Sequence, residues 1–224
     1  MNRTQIKIDK IIRSKRKSIA LVVGLDARLV VRAPMRISLE YIEDLVGRKS
    51  SWINKKRNWV LKNGGPAKTK KFVDGEDFLY LGENYKLKIE PRENIELVGN
   101  LHFPEKYAIS GRVKIIDWYR HEAKEIISAR AKLYSRQTGW KFRSLSITGA
   151  ETRWGSCGAN GSLNFTWKLI MAPLEVVDYV VVHELAHLVE RNHSSKFWDK
   201  VKMVLPDYKS RRKWLSENRL KFKI

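Results

Sequence analysis

The stretch VVHELAHLVERNHSSKFW, from Val181 to Trp198, holds three of the chain's five histidines. His183 and His187 stand four residues apart. On an α-helix, four residues turn about 400° and rise about 6 Å, so both imidazoles leave the same face. They can then meet one ion at about 2.0–2.1 Å. Glu184 follows the first histidine, and from there its carboxylate reaches a water on such an ion rather than the ion itself. His193 lies six residues beyond His187, too far along to continue that face without a break. Arg191–Asn192 is the expected break, because Asn tolerates a left-handed turn. His193 then swings back as a third ligand, and Ser194 or Ser195 caps the next helix.

Three protein ligands and one open position describe a catalytic zinc site, since a structural site fills all four. Cys157 is the chain's one cysteine, so a thiolate-rich structural cage is excluded. Zinc is therefore the expected cofactor. It would lower the pKa of its bound water towards about 7, and Glu184 would take that proton as general base. The bland alternative is an apolar helix that happens to carry histidines. His-Glu-x-x-His arises by chance in roughly 1% of chains of this length. Unpaired imidazoles within VVHELAHLV would also be costly to bury.

Outward from this stretch, Pro173 leads into a motif helix expected from about Leu174 to Arg191. Before it, SLSIT and SLNFTWKLI read as strands joined by the turn-rich link RWGSCGANG. A long helix is expected from Gly111 to Thr138–Gly139, with Ile115, Trp118, Tyr119, Ala123, Ile126 and Ile127 on one stripe. Two more helices, SSKFWDKVKMVL and PDYKSRRKWLSENRLKF, close the chain. The front reads mostly as strands: QIKIDKII, then SIALVVG and RLVVRAP as a hairpin over LDA, then FLYLG, YKLKIE, IELVG and LHFP. One helix, starting at Ser38 and stopped by Asn63–Gly65 before Pro66, interrupts them. The expected fold is α+β, with a β-rich N-terminal region over 1–110 carrying one helix and a helix-rich domain over 111–224.

The chain has 224 residues, enough for one large domain or two small ones. It carries 45 basic and 24 acidic residues, a formal net charge of +21. That balance points to polyanionic partners, nucleic acid first and an anionic membrane surface second, or to a merely lysine-coated surface. From Arg48 to Lys71 there are nine Lys or Arg and no acid, with Trp52 and Trp59 interleaved. KSRRKWLSENRLKFK near the C-terminus is similar. Basic residues with aromatics suit phosphates and bases, yet the same pattern suits a helix with its tryptophans inward. No apolar run matches a signal-peptide core or a membrane span, and one cysteine suits a reducing compartment. The expected location is cytoplasmic.

Thr152–Trp198, TRWGSCGANGSLNFTWKLIMAPLEVVDYVVVHELAHLVERNHSSKFW, resembles the YgjP-like metallopeptidases, relatives of the SprT-like zincins. IRSKRKSIALVV, LVVRAP and FLYLGENYKLKIE are similar to that family's N-terminal β region, so the resemblance covers nearly the whole chain. It implies a zincin-like peptidase domain acting on protein or peptide, with His183, His187 and His193 as zinc ligands and Glu184 as the base. It also implies that LNFTW is an edge strand that holds an extended peptide. The metzincins share the histidine spacing. They carry Gly where this chain has Glu190, and a Met-containing turn downstream that is missing here. SprT-like relatives act on DNA-bound proteins, which keeps two alternatives open. One is a protease recruited to such targets, and the other is a basic nucleic-acid-binding protein whose metal site is chiefly structural.

Smaller candidates remain. Tyr179, Arg153 and Asn164 could stabilise an oxyanion, although Tyr179 also reads as a core residue. Asp178 or Glu190 could orient an imidazole. Cys157 reads as a small buried residue. His102 and His121 lack partners at ligand spacing and receive no role.

Overall fold

The computed structural model describes residues 6–24, 26–62, 70–222 and 224. They divide into two compact units, one within residues 1–68 and one within 69–224. The architecture is mixed α+β, as the sequence predicts.

In the first unit, β1 (Lys10–Ser14), β2 (Ala20–Val23) and β3 (Leu29–Pro34) form a sheet in the order β1-β3-β2. The expected hairpin is present: β2 and β3 pair antiparallel from Ala20↔Arg32 to Val23↔Leu29. The Gly24 N–H closes it on the Arg28 carbonyl at 2.8 Å. Residue 25, within the LDA turn, lies outside the described residues. Leu29, Val31 and Ala33 alternate into the core while Arg32 faces out, the period of a half-buried strand. Ser38 caps α1 (Leu39–Arg48), its Oγ accepting from the Tyr41 N–H at 3.2 Å. The single helix read from the sequence is in fact two. The chain breaks at Lys49 (φ −99°, ψ 11°) before α2 (Ser50–Lys62). Gly47 and the Ser50–Ser51 pair are weak helix formers, and the break falls between them. The NGG stop at residues 63–65 lies outside the described residues. Ile42, Val46 and Ile53 close the core over β3.

The second unit begins with β4 (Asp77–Tyr80), β5 (Glu83–Glu90), β6 (Glu96–Val98) and β7 (Asn100–Pro104), in the order β4-β5-β7-β6. The change to helix-rich sequence expected at 110/111 meets the start of α3 (Gly111–Thr138), inside this unit. Ile115, Tyr119, Ala123, Ile127 and Ala131 recur every four residues and are all buried. They share one core with Phe78, Leu87, Leu101 and Phe103 from the strands. Gly139 ends α3 in the left-handed conformation (φ 75°), its N–H returning to the Ser135 carbonyl, a conformation that glycine adopts without strain. β8 (Ser144–Thr148), β9 (Gly155–Cys157) and β10 (Ser162–Thr166) follow, in the order β8-β10-β9. Two expectations change here. The RWGSCGANG link contains a short strand, β9. The strand in LNFTW, β10, is central and not an edge, lying parallel to β8 and antiparallel to β9.

A tight turn over Trp167–Met171 leads to α4 (Leu174–Ala186), then α5 (Ser195–Val204) and α6 (Tyr208–Asn218). The β4–β5 turn holds the approach to α4. Leu81 N–H donates to the Ile170 carbonyl at 2.8 Å, and Gly82 N–H to the Met171 carbonyl at 3.1 Å. No described helix is long and apolar enough to cross a membrane.

Candidate metal centre

α4 is apolar on nearly every side, and its setting matches: every residue from Val176 to Val182, together with Glu184, Leu185 and Ala186, is buried. Its one buried aspartate is neutralised. Arg130 of α3 grips Asp178 with Nε on Oδ1 at 2.5 Å and Nη2 on Oδ2 at 2.6 Å. Asp178 is thus an anchor between helices and not an acceptor for an imidazole.

The helix stops earlier than expected, at Ala186 rather than Arg191. Leu188 N–H closes on the Leu185 carbonyl and Val189 N–H on the Ala186 carbonyl, so the last turn tightens to three-residue closure. Asn192 does not take a left-handed conformation; among the described non-glycine residues only Ala27, Phe72 and Leu81 have positive φ. The early stop turns the Glu190 carbonyl back towards His187, whose Nδ1 donates to it at 3.0 Å. A carbonyl can only accept, so Nδ1 carries the proton and Nε2 keeps its lone pair. Glu190 therefore orients an imidazole through its main chain and not through its carboxylate.

Ser194 caps α5, its Oγ accepting from the Phe197 N–H at 3.4 Å. That first turn delivers the rings that enclose the histidines. Phe197 lies 4.9, 4.5 and 4.8 Å from the rings of His183, His187 and His193, and Trp198 stacks on His193 at 5.7 Å. One ligand atom from each histidine lies within 4.8 Å of the others. His183 Nε2 and His193 Nε2 are 3.0 Å apart. Two nitrogens on one tetrahedral ion at about 2.05 Å would stand roughly 3.3 Å apart, so the spacing fits.

The electrostatics fit as well. Burial, then the charges of His187, His193 and Arg212, push His183 down to about 3. His187 is lowered too, chiefly by burial. Neutral imidazole is the form that ligates. His183 Nδ1, which carries the ring proton when Nε2 ligates, is buried without a hydrogen-bond partner among the described residues. Three imidazole nitrogens make a donor set that a divalent ion accepts.

Glu184, 6% exposed, is pushed up to about 7 by burial, with Arg153 pulling the other way. Its neighbour is Gly155 of β9, a residue that the sequence reading passed over. A Cβ at Gly155 would lie 2.6 Å from Glu184 Cγ and 2.7 Å from Oε1, so only glycine leaves room for the carboxylate. The available signal was weak, because Gly155 is one of four glycines between β8 and β10.

β9 is the edge strand beside α4. Trp154 C=O and Gly158 N–H bond to β10, so the main-chain groups of Gly155 and Cys157 point to the open edge. Phe165 pairs with Gly155 and shares its face towards α4; Asn164, paired with Ser156, lies on the opposite face. Tyr179 is buried with its ring 5.9 Å from His183, and burial pushes its hydroxyl up to about 12. Cys157 is half-buried beside Arg191, whose Nη1 also donates to the Gly158 carbonyl at 3.1 Å. His102 braces strands, with Nδ1 2.6 Å from the Glu90 carboxylate. His121 lies exposed on α3.

A family model described as YgjP-like, metallopeptidase domain, matches residues 17–218. No curated protein matches. Among solved structures, the crystal structure of the metallopeptidase zymogen of Pyrococcus abyssi abylysin is similar at 21% identity. The match covers 46% of this chain and 93% of that one, with a TM-score of 0.32. At that distance it adds no weight to a functional reading.

Proposed function

The chain belongs to the YgjP-like metallopeptidase family, and from that premise we propose that it is a zinc-dependent endopeptidase whose general base is Glu184. The observation that carries this is the meeting of His183, His187 and His193 beside a buried carboxylate. These three side chains would hold the ion. A zinc ion bound there would supply Lewis acidity and a water of lowered pKa.

The remaining work falls to the chain's own groups. Glu184, raised to about 7, exchanges a proton readily near neutral pH. It takes the proton at a carboxylate oxygen and returns it to the leaving amine. Gly155 and Cys157, on the open edge of β9, pair with the main chain of an extended peptide, which gives sequence-tolerant binding. Arg153, whose charge reaches Glu184, is the proposed oxyanion partner. Tyr179 fits better as a core residue, and Asn164 lies on the far face of its sheet. All these groups come from residues 111–224. The lone half-buried thiol suits the cytoplasm.

Glu184→Gln tests the scheme. Cleavage of an unfolded protein substrate should fall by about a thousand-fold, while zinc measured on the purified protein stays stoichiometric. Cleavage that survives the change would falsify the base assignment. One observation favours a second reading, in which nucleic acid recruits the protease or is the main ligand of a protein with a chiefly structural metal site. Trp52 on α2 is 47% exposed next to Lys55 and Lys56, with Ile53 and Val60 taking the core side. An open indole among cations suits base stacking. Affinity for generic duplex or single-stranded DNA should then fall steeply with salt, and affinity that is flat with salt sinks that reading.

A further inference from the structure

Helix α6 places a cation beside the histidines, with no ion-pair partner among the described residues. The Arg212 guanidinium carbon lies 4.8 Å from the centre of the Trp198 ring. Trp198 stacks on His193 at 5.7 Å and on Tyr208 at 5.3 Å, and its ring centre is 5.8 Å from that of His183. Arg212 is close enough for its charge to act on His183 and Tyr179. Its neighbours along the helix are engaged. Arg211 bonds the Asp207 carboxylate at 2.8 Å and the Glu175 carbonyl at 2.9 Å, and Lys213 pairs with Glu217. Arg212 is exposed and forms no ion pair with any described residue.

A pocket of about 420 Å³ opens at this point, with Trp198 and Tyr208 as apolar walls and Lys209, Arg212, Lys213 and Glu217 around them. Glu217 at the pocket pairs with Lys213, so Lys209 and the Arg212 guanidinium are left as like charges lining it, a weak repulsion in water. A carboxylate removes that repulsion, and the guanidinium fork matches its two oxygens. The aromatic walls accept the apolar part of one residue. We propose that this pocket binds a carboxylate of the peptide substrate, with Arg212 as its specificity-determining residue. The proposal rests on the metallopeptidase reading of the adjoining centre. Two sources supply this chemistry: the free C-terminus of a peptide, or an Asp or Glu side chain near the scissile bond.

The test uses the zinc-loaded full chain and peptides of one sequence in matched pairs. One pair differs only in a free or amidated C-terminus, the other only in Glu or Gln flanking the cleaved bond. Wild-type protein should cleave the carboxylate member of one pair with at least about tenfold higher kcat/KM. In Arg212→Met that preference should shrink to within about twofold, whatever the change in the absolute rate on the neutral peptides. The pair that shows the effect identifies the source. Binding is read separately in Glu184→Gln protein by tryptophan fluorescence, where the preference should appear in Kd and vanish on adding Arg212→Met. Equal cleavage and binding of both members of both pairs overturns the proposal. So does an Arg212→Met loss that is the same for all peptides, which would assign the charge to a group common to every substrate. If wild-type protein cleaves nothing, the peptidase reading fails, and the binding comparison still decides the pocket.

Discussion

Helices α4 and α2 are both 13 residues long, and they use their length in opposite ways. α4 buries ten residues, among them an aspartate and a glutamate. α2 buries two, Ile53 and Val60, and turns Lys55 and Trp52 outward. On α4 and at its C-cap, burial lowers His183 and His187 and raises Glu184, so the imidazoles are held neutral and the carboxyl titrates near neutral pH. On α2, Arg57 is paired with Asp9, while water screens exposed charges such as Lys55 and Lys62 and spreads their effect over a surface. Burial shifts the protonation of a charge, and exposure leaves it free to meet solvent.

Four variants break or sharpen this contrast, in falling order of effect. Asp178→Asn leaves the Arg130 guanidinium without its charge partner between α3 and α4. It should lower stability by about 3–4 kcal/mol in a denaturant titration. A loss below about 1 kcal/mol would mean that α4 is held by apolar packing alone.

Glu184→Gln should stabilise the metal-free protein. The Glu184 carboxyl is raised to about 7 in the fold from 4.5, so the folded state holds the proton more tightly than the unfolded state. Stability is therefore intact below about pH 4.5 and falls as pH rises through 7. The variant lacks this loss. Its advantage should grow from near zero at low pH to about 3 kcal/mol above pH 7, read as a rising Tm difference across a pH series with chelator present. An advantage that shrinks as pH rises contradicts the burial of the carboxylate.

Gly155→Ala pushes a methyl group against Glu184. A loss of about 2 kcal/mol is expected, with cleavage reduced further than the stability change explains and zinc binding kept. Lys55→Gln with Lys56→Gln on α2 should shift stability by no more than about 0.5 kcal/mol. Any loss of nucleic-acid affinity in that double variant, with peptide cleavage unchanged, would separate the two helices by function.

Much of the architecture was legible because it obeys local rules. The α3 stripe, the Ser38 and Ser194 caps, the Gly139 stop and the β2–β3 hairpin each depend on residues within a few positions of one another. Of the misread parts, two are helix bounds set locally and the others depend on remote partners. The break at Lys49 and the early end of α4 change helix bounds that periodicity cannot locate. The position of β10 within its sheet was out of reach because strand order is a property of pairing, not of composition. Gly155 looked like a turn residue because the side chain that excludes a Cβ there lies 29 positions further on. Arg212 was one cation among 45 until its ring contact and lack of an acidic partner set it apart.

The sequence by itself determined a cluster: three histidines, suited to hold a metal ion, whose 4- and 6-residue spacing brings them together through helix geometry and one chain break, with a glutamate beside the first. Its mixed α+β character followed from the same short-range periodicities. Tertiary structure alone decided the state and surroundings of those groups. Burial in α4 adjusts their protonation, the Glu190 carbonyl selects the His187 tautomer, the β9 edge faces the carboxylate, and Trp198 brings Arg212 within range. The physical reason is that spacing is covalent and local, whereas desolvation and charge depend on every group that folding gathers around a site.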